Sequence, residues 1–322
     1  MLNLKSKEMK KLFVFAIAAV AMTVACQKNQ DVNLGNENEG DLVEMRFNTN
    51  LVTVETKGVE SLVGQELFVY GLSDKATDPR QFINVPASVD GEGAMTLDKT
   101  YFYGPNRTYT FYGYCLNGAT ADGTAYNVAT PLTITGANDV LLAAADGSFS
   151  ATTARAGTHP ELEFGHALSR FTFAVANLGN TAMKLSGISV STPLEGTITF
   201  TGTQGVAAGT TDGTITLGVS EMELTAQPSA TDPVFAAVED VEALVFPRSS
   251  YTINVTLTQD DADSRTLAVP VPNPTSVEAG FQYAINLKVY SLEEIVISAT
   301  LKGWEDGQDI TVDTSDLEEE GE

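Results

Sequence analysis

Two cysteines, two histidines and one tryptophan are all that a chain of 322 residues offers of the side chains most used for metal binding, thiol chemistry and ring stacking. Two cysteines cannot build a disulfide framework or a thiolate zinc site, and two histidines cannot furnish a histidine-rich metal centre. Positive charge is scarce too: 18 Lys and Arg stand against 42 Asp and Glu, a formal net charge of −24. Such a surface repels nucleic-acid phosphates, whose binding depends on cationic side chains that release counterions. The patterns H-E-x-x-H, G-x-S-x-G and G-x-x-x-x-G-K-[ST] are missing, which removes the common protease, hydrolase and nucleotide-binding signatures. The expectation is a protein that is not an enzyme, with no catalytic residue, no metal, no cofactor and no nucleic-acid partner. Yet only 19% of residues are charged while 43% are hydrophobic, so there is a core to build and the chain is no acidic disordered tail. Its length suits two domains of ordinary size.

There is one long apolar run, Leu12 to Val24, about 13 residues behind Lys10 and Lys11. That is the charge-then-apolar order of a secretory signal, and it is too short to cross a hydrocarbon core of ~30 Å as a helix. Met1 and Met9 (which opens MKKLFVF) are alternative starts. The run ends in Thr23-Val24-Ala25-Cys26, which resembles the lipobox of bacterial lipoproteins, with Thr in place of the usual aliphatic residue. On that reading residues 1–25 are a signal peptide and Cys26 carries a diacylglycerol and an acyl chain. Several chains on one residue anchor stably at ~0.8 kcal/mol per buried CH₂. Without residues 1–25 the charge becomes 14 − 41 = −27, because four Lys and one Glu are lost. So many acids make chance carboxylate pairs inevitable, and no glycosidase pair stands out. Cys115, among the aromatics of YTFYGYCL, reads as a buried, inert thiol. Residues 26–41, rich in Asn, Gln, Glu and Gly, read as a flexible tether.

From Leu42 onward, runs rich in Val, Ile, Thr, Tyr and Phe alternate with turn residues, and the expected class is all-β. In YTINVTLTQ, Tyr251, Ile253, Val255 and Leu257 share one face. Tyr283, Ile285, Leu287 and Val289 do so in QYAINLKVY, as do Ile295, Ile297, Ala299 and Leu301 in EIVISATLK. This period of two marks strands with one buried and one wet face. Asp-Gly pairs at 90, 122, 146 and 212 predict tight turns, and the acidic cluster 260–263 reads as a solvated hairpin tip lacking the spacing of a calcium loop. A polar break at 147–163 places the boundary between two sandwiches, 42–157 and 158–322. His166 reads as a structural hydrogen-bonder, and His159 lies in the presumed linker.

Several stretches, in order, resemble the Bacteroidales fimbrillin family. They are the signal and lipobox, YFYGPNRTYTFYGYCL (101–116), ITGANDVLLAAADG (134–147), LEFGHALSRFTFAVAN (162–177) with Phe164, His166, Leu168 and Arg170, and the terminal 278–308 with its Trp304. Thr23 and the acidic tail DTSDLEEEGE depart from the family pattern. The resemblance implies two tandem transthyretin-like β-sandwiches in a pilus-subunit lipoprotein of the outer membrane and fimbrium. It also implies a trypsin-like processing protease that removes an N-terminal strand. Another pilin subunit then fills the groove by strand exchange.

The candidate parts are named by position. Leu42–Val54 is the removable strand, with Val43, Met45 and Phe47 on one face. Lys57, in the polar break Glu55-Thr56-Lys57-Gly58, is a better placed cleavage site than Arg46, which lies within the strand. An unprocessed strand is the alternative. Donor strands would be 282–290 or 294–302. The competing function is a non-polymerising surface lipoprotein that binds glycan or host protein, with Trp304 beside Glu305 and Asp306 as candidate contact. Trp304 reads first as a core or groove-edge residue, ahead of that contact role. The short tail favours a terminal, tip or accessory role over a stalk.

Overall fold

The computed structural model describes residues 42–51, 59, 61–228, 231–259, 263–271, 277–303 and 309–311. In chain order the first strands are β1 (Phe47–Leu51), β2 (Leu67–Ser73), β3 (Phe82–Val89), β4 (Ala94–Leu97) and β5 (Tyr109–Cys115). Then come β6 (Thr120–Ala121), β7 (Thr130–Thr133) and β8 (Leu141–Ala144). One helical turn, α1 (Ala151–Arg155), is started by a reciprocal cap between Ser150 and Thr153. Beyond it lie β9 (Glu161–His166), β10 (Ser169–Asn177), β11 (Met183–Pro193), β12 (Glu195–Thr199) and β13 (Gly205–Ala208). They are followed by β14 (Asp212–Leu217), β15 (Met222–Leu224), β16 (Ala236–Val245) and β17 (Thr252–Gln259). The last are β18 (Asp263–Pro270), β19 (Phe281–Ser291), β20 (Glu294–Gly303) and β21 (Asp309–Thr311). The fold is all-β, as the alternating sequence demands.

The first half closes on itself in the order β1-β4-β3-β2-β5-β8-β9, a seven-stranded barrel. Its interior is aromatic: Phe47 meets Phe111 edge-on at 4.9 Å between ring centroids, and Phe111 lies parallel to Tyr109 at 6.2 Å. The second half stacks the sheet β16-β10-β19-β20-β21 on β14-β11-β17-β18, with β15 added to β11. Tyr251, Ile253, Val255 and Leu257 point into this core, as do Tyr283, Ile285, Leu287 and Val289, which are the faces the period of two selects.

The two halves share strands. β9 lies beyond the expected boundary at 157/158, yet it pairs with β8 and, in parallel, with β1 inside the barrel. A further sheet, β13-β12-β7-β6, takes two strands from each half. Beneath it Phe200 packs against Tyr114 at 4.3 Å and Tyr70 at 6.1 Å, all three buried. Asn38–Glu322 accordingly forms one compact unit.

One expected turn is not a turn. Asp212-Gly213 opens β14 and pairs with Pro193 and Thr192 of β11. A Cβ at Gly213 would come within 2.8 Å of Leu194, so the glycine answers a packing need. At Asp122-Gly123 and Asp146-Gly147 the glycines do take positive φ, +111° and +90°. The strands flanking 260–262 pair Gln259 with Asp263, a hairpin as expected.

Candidate functional site

β1 is the strand that closes the barrel, and its seam is the candidate site. Phe47 and Asn48 pair antiparallel with Met95 and Ala94 of β4. Asn48 to Leu51 pair parallel with Glu161 to Phe164 of β9. The strand alternates because one face meets the barrel interior. Phe47 is buried, Asn48 and Asn50 are exposed, and Thr49 and Leu51 are half-buried. Ahead of β1 the chain is already fastened. The Met45 N–H donates to the Tyr101 carbonyl at 2.8 Å, and the Tyr103 N–H donates to the Val43 carbonyl at 2.9 Å. The face expected from Val43, Met45 and Phe47 therefore points inward, with Met45 and Phe47 buried and Val43 partly so.

Magnitudes set how firmly β1 is held. Full burial of a large apolar side chain is worth about 1.5–3 kcal/mol. Met45 and Phe47 are the fully buried large side chains among the described residues of this stretch. Four such residues, Tyr283, Ile285, Leu287 and Val289, lie buried in β19, which is bonded to β10 on one side and β20 on the other. β19 (the expected donor 282–290) is thus fixed in the middle of its sheet, and its loss would empty the core. β20, which holds the expected donor 294–302, buries Ile297 and lies nearer the edge, with the three residues of β21 beyond it.

Beyond β1 the chain is pinned again. The Val59 N–H donates to Oδ2 of Asp139 at 2.8 Å, and Oδ1 of the same carboxylate meets His166 Nδ1 at 2.9 Å. Asp139 is wholly buried, and only 4% of the His166 side chain is exposed. His166 is the structural hydrogen-bonder its position suggests. Asp139 received no role from the sequence, because its partner Val59 lies 80 residues away. The signal available was its place in ITGANDVLL, a lone acid heading an apolar run.

Arg46 is placed on the outer surface, 70% exposed, with Nη2 at 3.0 Å from Glu44 Oε2. Its neighbours Met45 and Phe47 are buried, so a protease can reach the side chain while the scissile backbone stays fastened. Cys26, Lys57 and Trp304 lie outside the described residues. Cys115 is fully buried in β5, and burial pushes its thiol pKa up. His159 is half-buried, and its Nδ1 has no partner among the described residues.

A family model described as fimbrillin-like matches residues 62–304. Among solved structures the chain superposes on a candidate cell adhesion protein from Bacteroides uniformis with a TM-score of 0.54 at 15% identity, covering 82% of this chain and 99% of that one. For a fimbrial protein from Bacteroides vulgatus the TM-score is 0.52 at 12% identity, covering 80% and 99%. For a candidate cell adhesion protein from Bacteroides ovatus it is 0.51 at 15%, covering 83% and 99%. At these identities the likeness is one of fold. No curated protein matches the sequence.

Proposed function

This chain belongs to the fimbrillin-like family, and from that premise we propose that it is a lipid-anchored pilus subunit whose β1 is a removable placeholder. In this reading Cys26 carries the lipid that holds the precursor at the outer membrane. A trypsin-like protease then cuts after Lys57. The fragment carrying β1 leaves, and the edges of β4 and β9 take a strand from another subunit. The observation that carries the reading is the placing of β1: it closes the barrel, and Met45 and Phe47 are the fully buried large side chains among the described residues of its stretch.

The two candidate cuts have different consequences. A cut after Arg46 leaves Phe47 to Leu51 attached to the body, with both ladders intact. A cut after Lys57 puts the whole of β1 on the released side. Lys57 is therefore the site that can open the barrel. Two unpaired edges demand new partners, and an incoming strand gains ladder bonds and pockets for alternate side chains. β20 with β21 is the better placed donor, since β19 is held on both sides.

The test is N-terminal sequencing of protein recovered from cells with and without trypsin-like activity, alongside SDS-resistant ladders. A mature start at Gly58 together with ladders is the expected result, and Lys57→Ala should abolish both. Ladders that form equally well without residues 294–322 would exclude the C-terminal donor.

A second reading has one observation in its favour, that β1 is hydrogen-bonded along both edges. There the strand is permanent, and the protein is a non-polymerising surface lipoprotein that binds glycan or host protein, with Trp304 as the contact. A lipidated chain starting at Cys26 and free of ladders would identify it.

A further inference from the structure

One end of the barrel gathers cations that the rest of the chain is short of. β1, β3, β5 and β9 start at that end, and β2, β4 and β8 finish there. It is therefore built from the entry segment 42–46 and the connections 74–81, 98–108 and 145–160. Arg46, Lys75, Arg80, Lys99, Arg107 and Arg155 lie in these segments, against five acids. Without residues 1–25 the chain holds 14 cations and 41 acids, so all that lies outside this end carries 8 − 36 = −28.

Contacts join the segments into one surface. The Asp74 N–H donates to the Thr108 carbonyl at 2.9 Å, and Arg80 Nη1 donates to the Tyr103 carbonyl at 3.1 Å. The Tyr109 N–H donates to the Phe149 carbonyl at 2.8 Å, which brings α1 alongside. Three of the acids are occupied. Asp78 is buried and accepts from Tyr109, Glu44 is paired with Arg46, and Asp98 accepts from Tyr101 Oη at 3.2 Å. Lys75 and Lys99 are exposed and have no ion-pair partner among the described residues.

The chain also enters the body at this end. Leu42 is the first described residue, and the Tyr103 N–H donates to the Val43 carbonyl at 2.9 Å. β9 leaves the barrel at the opposite end, through His166, and runs on to β10 of the second half. The lipid proposed at Cys26 is thus joined to the body at an end spared the negative charge carried elsewhere.

We propose that this end of the barrel is a membrane-facing surface, seated on anionic lipid headgroups while the precursor is anchored. The inference rests on the lipid-anchor reading above. Anionic headgroups attract Lys and Arg within a Debye length, ~8 Å at physiological salt. They repel the −28 carried elsewhere. That asymmetry, rather than the local excess of one positive charge, sets the orientation. Acyl chains and basic side chains together hold a protein more firmly than either does alone.

The lipidated chain, reconstituted into vesicles and treated with a water-soluble lysine-acetylating reagent, tests this by mass spectrometry. The vesicles are phosphatidylcholine alone, or phosphatidylcholine and phosphatidylglycerol in equal parts. Lys75 and Lys99 should react at least about five-fold more slowly on the anionic vesicles than on the neutral ones. High salt should abolish the difference. Lys184 and Lys288, in the second half, should react alike on both. Lys75→Glu, in an exposed loop, should return Lys99 close to its rate on neutral vesicles, with circular dichroism reporting on folding. Equal rates at Lys75 and Lys99 on the two vesicles overturn the proposal, as does slowing centred on Lys184 and Lys288. Slowing that appears already in neutral detergent, where only another copy of the chain could cover this end, overturns it too. The mass of the Cys26 peptide separates the two readings. A chain without lipid overturns the anchor and this inference with it, whereas a lipidated chain with the wrong lysine pattern overturns this inference alone.

Discussion

Asp139 holds Val59 across 80 residues of sequence, accepting its backbone N–H at 2.8 Å in a wholly buried position. The bond fixes the chain just past the candidate cut, so β1 is fastened at both ends, by Met45 to Tyr101 before it and by this clasp after it. Asp139→Ala should leave the Val59 N–H buried without a partner and deprive His166 of its carboxylate. A buried donor left unsatisfied costs about 1–3 kcal/mol. The denaturation midpoint should fall accordingly, and limited trypsinolysis after Lys57 should quicken. An unchanged midpoint with an unchanged cleavage rate would show that the clasp carries no load.

A second buried carboxylate predicts how the barrel responds to acid. Asp78 accepts from Tyr109 Oη at 2.6 Å, Ser73 Oγ at 2.8 Å and the Arg80 N–H at 3.0 Å. Burial alone raises its pKa. The hydrogen bonds, Tyr109 foremost, and the nearby Arg107 charge outweigh that and hold it below the usual carboxylate value. The unfolded chain therefore takes up this proton more readily than the folded one. The stability contributed by Asp78 is complete above its unfolded pKa of about 3.9 and is lost as pH falls through the depressed folded value. Melting temperatures across this acid range should drop more steeply for the parent than for Asp78→Asn, which starts lower at neutral pH. Parallel curves would mean that Asp78 titrates alike in both states.

These two carboxylates also mark what local sequence can and cannot disclose. The inward faces of β17 and β19 were readable because burial on one side of a sheet imposes a period of two, and the inward set Val43, Met45 and Phe47 was readable for the same reason. The clasp was not, since nothing near Asp139 encodes a bond to Val59. Nor was the place of β9 in the barrel or the sheet formed by β6, β7, β12 and β13, because strand partners far apart in sequence leave no mark in either strand's periodicity. Asp212-Gly213 misled for a different reason. The pair is compatible with a tight turn, but here the glycine is needed to clear Leu194.

The shared sheet makes a prediction about cooperativity. Phe200, fully buried just past β12, packs tilted against Tyr114 and stacks on Tyr70, both from the barrel. Phe200→Ala should cost about 3–5 kcal/mol, the usual range for emptying an aromatic site in a core. Because the joint belongs to both halves, fluorescence and circular dichroism should report one coincident transition in the parent. The variant should separate into two. Two transitions already present in the parent would show that the halves fold independently.

Tyr103 offers a change in the opposite direction. Its hydroxyl is buried in the barrel and has no hydrogen-bond partner among the described residues, while its ring meets Tyr109 at 5.6 Å and Phe111 at 6.3 Å. Burial pushes its pKa up to about 12, so the group stays protonated at any working pH and loses its bond to water on folding. The ring contacts are aromatic packing that phenylalanine reproduces. Tyr103→Phe removes the unsatisfied group and keeps the ring, so it should be neutral or stabilising by up to about 1 kcal/mol. Most core substitutions destabilise, which makes the sign itself diagnostic. A clear loss of stability in chemical denaturation would mean that the hydroxyl is bonded in solution, most simply through a buried water.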